Sequence, residues 1–293
     1  MVKLSEVQTL NAALAADSPK PLVAVFLGGT SGIGHMTARA LASSVQQAGA
    51  GGAAHLSRGP QRAARGGDRR VAARAVSGGA STEGLDETMA ILYYSRMRAI
   101  QQLTPLLLKS TLPATVVSVF AAGFEDEKKL CREDLSLRDL QRYGYLQVRS
   151  HLCYMHSMCM SQLAELHHAE KQLRLIHIFP GLVLTAAFHN PAYPAWFRGE
   201  RMLFLASPVL YPAAAGDDSS RRGTENEKGG TVRGMDGRPG SGAYSLDWKG
   251  DDTHNQKVYA KLGDEGIEAL KAQVWEHTNK AFEVIASGEP FTE

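Results

Sequence analysis

Val23-Ala24-Val25-Phe26-Leu27-Gly28-Gly29-Thr30-Ser31-Gly32-Ile33-Gly34 is the stretch whose reading decides the fold. Five apolar residues run straight into a glycine-rich turn, and the helix-like pattern Met36-Thr37-Ala38-Arg39-Ala40-Leu41-Ala42 follows. A continuous apolar run of strand length, bounded by turn residues, predicts a strand buried on both faces, as in a parallel sheet. The turn then feeds a helix N-terminus, where unpaired backbone N–H groups and the positive end of the dipole favour a phosphate. Gly28, Gly32 and Gly34 form a Gly-x-x-x-Gly-x-Gly pattern. The first glycine permits a tight turn, the second lets a pyrophosphate approach the backbone, and the third lets the helix pack closely on the strand. Glycines alone are weak evidence, and a strand-to-helix turn without a ligand is the competing reading. The strand before and the helix after give the pattern its weight.

Outward from this stretch, a helix is expected from about His35 to Gln47, ended by Gly49, Gly51 and Gly52. Ala53-Ala54-His55-Leu56-Ser57 is a poor second strand, because it lacks β-branched and aromatic residues. Residues 59–75 are almost all Arg, Ala and Gly, a composition that supports a flexible or weakly helical segment and not a strand core. The pattern is strong again from Leu85, where Met89, Leu92, Met97, Ile100 and Leu103 suit a long buried helix ending near Pro105. Strands are expected at Thr115–Phe120, Arg174–Phe179 and Gly242–Trp248. Helices are expected at Leu135–Leu140, at about Tyr145–His168 and at about Asp264–Ser287, the last as core or dimer packing that leaves room for a homo-oligomer. Strands alternating with helices predict an α/β fold with a parallel, doubly wound sheet of Rossmann type. At 293 residues a single domain, 1–293, is the default.

Gly28-Gly29-Thr30-Ser31-Gly32-Ile33-Gly34 resembles the cofactor loop of the short-chain dehydrogenase/reductase family, with Leu27 standing where that family usually has Thr. Leu92–Arg96, Val116–Phe120, Phe179-Pro180-Gly181 and Gly240–Trp248 are similar to a fungal branch of the family found in secondary-metabolite pathways. The resemblance implies a nicotinamide cofactor contacted by Gly28, Thr30, Ser31, Gly32, Ile33 and Gly34. It also implies a Pro-Gly-x-x-x-Thr loop, Pro180 to Thr185 with Gly181 and Val183 between, that holds the nicotinamide carboxamide. Arg58 stands where a basic residue of the family meets the 2′-phosphate of NADP, and no acidic residue lies between Gly34 and Gly67, so NADP (as NADPH) is the expected cofactor. About 24 residues separate Arg58 from Thr82, too few for a strand, a crossover helix and another strand, so one or two strands of the nucleotide-binding half are missing or replaced. Residues 186–230 correspond to the substrate lid. Their first half is aromatic and apolar, which suits an apolar substrate.

A family reductase hands a proton from a tyrosine to the substrate oxygen, with a cation close by and a hydroxyl donor on the carbonyl. Tyr145-Leu146-Gln147-Val148-Arg149 stands at the family's Tyr-x-x-x-Lys place. Arg149 replaces the lysine; it can still stabilise a tyrosinate and contact ribose but cannot relay a proton. Tyr143 is a nearby competitor. The family's serine position falls on Phe120, and Ser118, two residues earlier on the same face, is the candidate substitute. The family's helix asparagine falls near Leu92 or Tyr93, neither of which is Asn. The expected activity is an NADP-dependent oxidoreductase acting on a ketone or alcohol of an apolar polyketide- or terpenoid-like compound. A catalytically impaired binding or scaffold relative is the alternative that Phe120, Arg149 and the short segment suggest.

Composition bounds the rest. A net charge of +2, mixed along the chain, gives no electrostatic argument for nucleic acid or an anionic membrane. No run reaches the roughly 18 apolar residues that a membrane-spanning helix needs, and Met1–Gln8 lacks the apolar core of a signal peptide. The three cysteines, Cys131, Cys153 and Cys159, suit a reducing compartment, so a cytoplasmic location is expected. His151 and His156 are five apart on a helix, a poor spacing for metal ligands, and Met155, Met158 and Met160 read as core filler.

Overall fold

Three apolar runs build the sheet. A computed structural model describes residues 9, 23–29, 31–47, 79–110, 114–168, 173–181, 183, 233–235, 240–248, 250–253 and 256–293. In chain order the elements are α1 (Gly32–Gln47), α2 (Glu87–Met89), a π-helical turn (Ala90–Tyr94), α3 (Ser95–Leu107), β1 (Ala114–Val119), α4 (Tyr145–Leu166), β2 (Leu173–Ile178), β3 (Ala243–Leu246) and α5 (Gln256–Ala286). The described residues fall in two compact units. One holds residues 23–29 and 31–47 with 180, 181, 183, 248 and 250; the other holds the three strands and helices α2 to α5.

In the larger unit the strands are parallel in the order β1-β2-β3, with Val119 opposite Ile178 and Ile178 opposite Leu246. Parallel neighbours need a long crossover, and α4 supplies it between β1 and β2. The apolar α4 residues point to all sides, and its residues Leu152 to Met160 are all buried. Such a helix belongs inside the protein, between the sheet and another layer. That layer is α5, which bends at Gly263, where φ is +67°. Met155, Met158 and Met160 fill this core, as expected. The three cysteines are free and buried. None of the described helices is long and apolar enough to cross a membrane.

Local chemistry sets the ends of the elements. Asp86 caps α2 by accepting the Met89 N–H at 2.9 Å. Its carboxylate also accepts from the Tyr143 hydroxyl at 2.9 Å, so the competitor tyrosine is committed to a structural bond. Pro105 sits in the last turn of α3, which ends two residues later, since proline cannot donate to the ladder. The strands expected at Thr115–Phe120, Arg174–Phe179 and Gly242–Trp248 appear with ends shifted by one or two residues.

Other expectations are corrected. Val23–Leu27 is not a buried strand: it is paired with no described strand, and Val23, Val25 and Leu27 lie 69%, 46% and 61% exposed. An apolar run becomes a buried strand only when neighbours take its N–H and C=O groups and cover both faces. The stretch 53–78, from which a neighbour was expected, lies outside the described residues. Leu135–Leu140 is not a helix. Leu137 takes a positive φ of 51°, and Asp139 instead caps a short 3₁₀ turn at Leu140–Arg142. The last helix starts before Asp264, because the Gly263 bend joins two helical pieces. The long helix after Leu85 is interrupted by the π-helical turn at Ala90–Tyr94.

Leu175 lies fully buried on the central strand. Leu175→Ala is expected to cost about 2–5 kcal/mol in a denaturant-unfolding measurement, through lost burial and a residual cavity. A cost below about 1 kcal/mol would contradict the central place given to β2.

Candidate functional site

In the smaller unit the glycine turn takes the geometry its sequence demands. Gly28 has φ +87° and Gly32 φ +58°, conformations that L side chains rarely adopt. At Gly34 a Cβ would stand 2.7 Å from the Gly28 carbonyl oxygen, so only glycine lets the first turn of α1 lie against the loop. At Gly28 a Cβ would meet nothing within 4 Å among the described residues. The α1 helix starts at Gly32 with no acidic residue in its first turn. Unpaired backbone N–H groups at such a helix start are the donors a diphosphate takes, and the first turn holds no acidic residue to repel it. Ser31 is exposed and Ile33 half-buried; Thr30 and Arg58 lie outside the described residues. Gly181 has φ +75°, a conformation that favours glycine, and a Cβ there would be in ordinary contact with Trp248 at 3.5 Å. Val183 is buried. Thr185 and the expected lid, 186–230, also lie outside the described residues.

In the larger unit the candidate chemistry gathers where the parallel strands end. Ligands of open α/β sheets bind outside the carboxyl ends of the strands, and the crossover helix that follows β1 begins there. Tyr145 is the first residue of α4, capped by the backbone of Gly144 alone, and is 42% exposed. Arg149, one turn later, is half-buried and lays its guanidinium over the Phe124 ring, 3.8 Å from the centroid. Gly123, Phe124, Asp126, Lys129, Leu146 and Arg149 line a cleft of ≈ 290 Å³. Lys129 is paired with Asp126, which leaves Arg149 as the cation facing that cleft without an acidic partner among the described residues. Ser118 is buried, and its hydroxyl accepts a long bond from Arg96 Nη1 at 3.5 Å. The same nitrogen donates to the Val119 carbonyl at 2.6 Å. The structure brings Tyr145 and Arg149 to one helix end and points Ser118 inward.

Phe120 explains its own presence. Its ring stacks on His156 (centroids 5.0 Å apart, 19° between planes), and His156 stacks on His177 (5.0 Å, 23°). Both histidines are fully buried. His177 Nε2 accepts the Ala121 N–H at 3.2 Å, so the neutral ring carries its proton on Nδ1, 3.4 Å from Ser157 Oγ. Ser157 then donates to Glu125 Oε1 at 3.1 Å. Glu125 is buried, its Oε2 has no partner among the described residues, and burial pushes its carboxyl above the usual range. The Cys153 thiol adds a bond to the Ala121 carbonyl at 2.9 Å. Sequence reasoning missed Arg96, Glu125, Phe124 and Phe179. The last two were legible only as the aromatic residues after Gly123 and before Pro180.

No family model matches the chain, and no solved structure matches it. Three relatives do. It is 34% identical to the oxidoreductase AN1596 of Emericella nidulans, over 95% of this chain and 97% of that one. It is 28% identical to the oxidoreductase andH of Emericella variicolor, over 99% of this chain and all of the other. It is 31% identical to the short-chain dehydrogenase/reductase SAT2 of Stachybotrys chartarum, over 70% of this chain and 60% of that protein. The chain belongs to this family of fungal oxidoreductases. The first two alignments run over 340 and 347 residues against the 293 of this chain, so each relative carries internal residues with no counterpart here.

The buried histidines make acid stability a direct test of this interior. Burial holds His151 and His277 down at about 4, and burial with the Arg96 charge holds His156 at about 3. The unfolded chain binds these protons below about pH 6.5 while the folded one does not. The stabilisation is therefore complete above pH 6.5 and is lost as the pH falls toward 4. His156→Leu is expected to flatten the fall in unfolding free energy between pH 6 and 4 by about 1.4 kcal/mol per pH unit, the slope of one proton. Equal slopes in the two proteins would show that His156 is not held neutral.

Proposed function

We propose that this oxidoreductase uses NADP(H) to interconvert a ketone and an alcohol on an apolar, polyketide- or terpenoid-like skeleton of a fungal secondary-metabolite pathway. The observation that carries the reading is the glycine turn: positive φ at Gly28 and Gly32, with Gly34 packed against the Gly28 carbonyl. In this reading Gly28 to Gly34 hold the pyrophosphate, with Thr30, Ser31 and Ile33 in the same loop. Arg58 meets the 2′-phosphate, and Pro180, Gly181, Val183 and Thr185 hold the carboxamide. When bound, the nicotinamide supplies or accepts the hydride. Tyr145 donates its hydroxyl proton to the oxygen of the carbonyl being reduced, or takes it back in the reverse direction. An arginine side chain carries a fixed charge, so Arg149 stabilises the tyrosinate and contacts the ribose of the cofactor without passing a proton on. Tyr145 then recovers its proton from solvent, to which it is 42% exposed. The apolar residues of 186–230 cover the substrate and exclude water.

An intrinsic-fluorescence titration of the full chain tests this reading. Saturable NADPH binding, tighter than NADH by at least about tenfold, is expected from one charge-assisted phosphate contact. Arg58→Ala should remove that preference. Tyr145→Phe should keep the binding and lower turnover by about 10²–10⁴-fold with a reducible ketone. Absence of binding at millimolar NADPH would overturn the reading.

A further inference from the structure

We infer that Phe124 and Phe179 are positioning residues: an aromatic clamp that fixes the Arg149 guanidinium at the carboxyl end of the sheet. The inference rests on the reading of Tyr145 and Arg149 just given, and it explains how an arginine can serve where the family carries a lysine.

A lysine ammonium is compact, strongly hydrated and able to turn its three donors to any partner. A guanidinium is flat and weakly hydrated, and its donors lie in one plane. An arginine in that place is useful only if the plane is held. The Arg149 Cζ lies 3.8 Å from the centroid of Phe124 and 5.7 Å from that of Phe179, both within the ~6 Å reach of a cation–π contact. The two rings meet edge to face, 4.7 Å apart at 69°, so each fixes the other. Phe124 is 42% exposed, and the guanidinium lies over its ring.

The clamp is anchored to the strands as well as to the helix that carries Arg149. Phe179 follows β2 directly, and its N–H extends the ladder to the Leu246 carbonyl at 2.9 Å. Phe124 closes the turn after β1 with an N–H bond to the Ala121 carbonyl at 3.1 Å. Gly123 makes that turn with φ +84°, and a Cβ there would stand 2.9 Å from Thr253 Cβ, so the turn is pressed against the rest of the unit. The next residue, Glu125, reaches inward to Ser157 on α4. Stacking occupies the face of the guanidinium and leaves its edge donors, which form no ion pair or hydrogen bond with the described residues, for the cleft.

A double-mutant cycle on the full chain tests the clamp, using Phe124→Leu, Arg149→Met and the pair, with Phe124→Tyr as the conservative control. Denaturant unfolding should show a coupling of about 2- to 5-fold in the equilibrium constant between the two positions. NADPH titration should show Phe124→Leu weakening binding about 3- to 30-fold, Phe124→Tyr restoring it, and Phe124→Leu having no effect once Arg149 is Met. Additive unfolding effects overturn the clamp whatever NADPH does. Tight NADPH binding that ignores Phe124→Leu overturns its positioning role. Coupled unfolding in a protein that takes up no NADPH overturns instead the cofactor reading of Arg149, and with it the use assigned to the clamp.

Discussion

The middle of helix α4, Leu152 to Met160, is buried on every side, where an unpaired polar group is costly. That constraint organises the larger unit. A crossover helix between parallel strands is covered by the sheet on one face, and here α5 covers the opposite one. Ser150, His151, His156, Ser157 and Ser161 nevertheless sit within it. Unpaired polar groups in such a place cost about 1–3 kcal/mol each. For Ser157 the solution is a chain of bonds that leaves the helix, to Glu125 and to His177 and on to the Ala121 N–H. Ser150 Oγ accepts the Asp126 N–H at 2.8 Å in the same way. The turn after β1 is therefore hydrogen-bonded to α4 and β2 at several points before any ligand is considered.

The consequence for the site is rigidity at the strand ends. Phe124 lies between Ala121 and Glu125, two of the anchored positions. Phe179 continues β2 toward β3. Arg149 is a guanidinium laid on a fixed ring, where a lysine would be a mobile point charge. Arg149 and Phe120 then belong to one interior. Phe120 completes a stack with His156 and His177. A serine there would leave those two buried rings without their neighbour.

Much of this was legible in the sequence. Gly28, Gly32 and Gly34 predicted their own backbone, because only glycine tolerates the φ values and the 2.7 Å approach found there. The β1–α4–β2 crossover was legible because its apolar periods are long and uninterrupted. Tyr145 and Arg149 were placed correctly at one helix end by their spacing of four. What failed was whatever depends on partners distant in sequence. Val23–Leu27 reads as a buried strand by composition, yet burial is a property of neighbours. Leu135–Leu140 has helical periodicity over too few residues to outweigh the Asp134 and Asp139 side-chain bonds that turn the chain there. Phe124 escaped notice because a single aromatic residue after a glycine carries no pattern.

The exposed apolar run before the glycine turn and the length of the relatives bear on the same question. Val23, Val25 and Leu27 keep the hydrophobicity of an inner strand, while the stretch after Arg58 has the composition of none. The relatives carry internal residues that this chain lacks. A glycine turn needs only its own residues to keep its shape, since its constraints are local: two positive φ values and one close approach. A strand needs its flanking strands. Among the described residues the turn keeps its shape while Val23, Val25 and Leu27 lie exposed and pair with no strand. A local constraint and a non-local one are separable in physical terms, so the geometry of Gly28 to Gly34 reports on the turn itself.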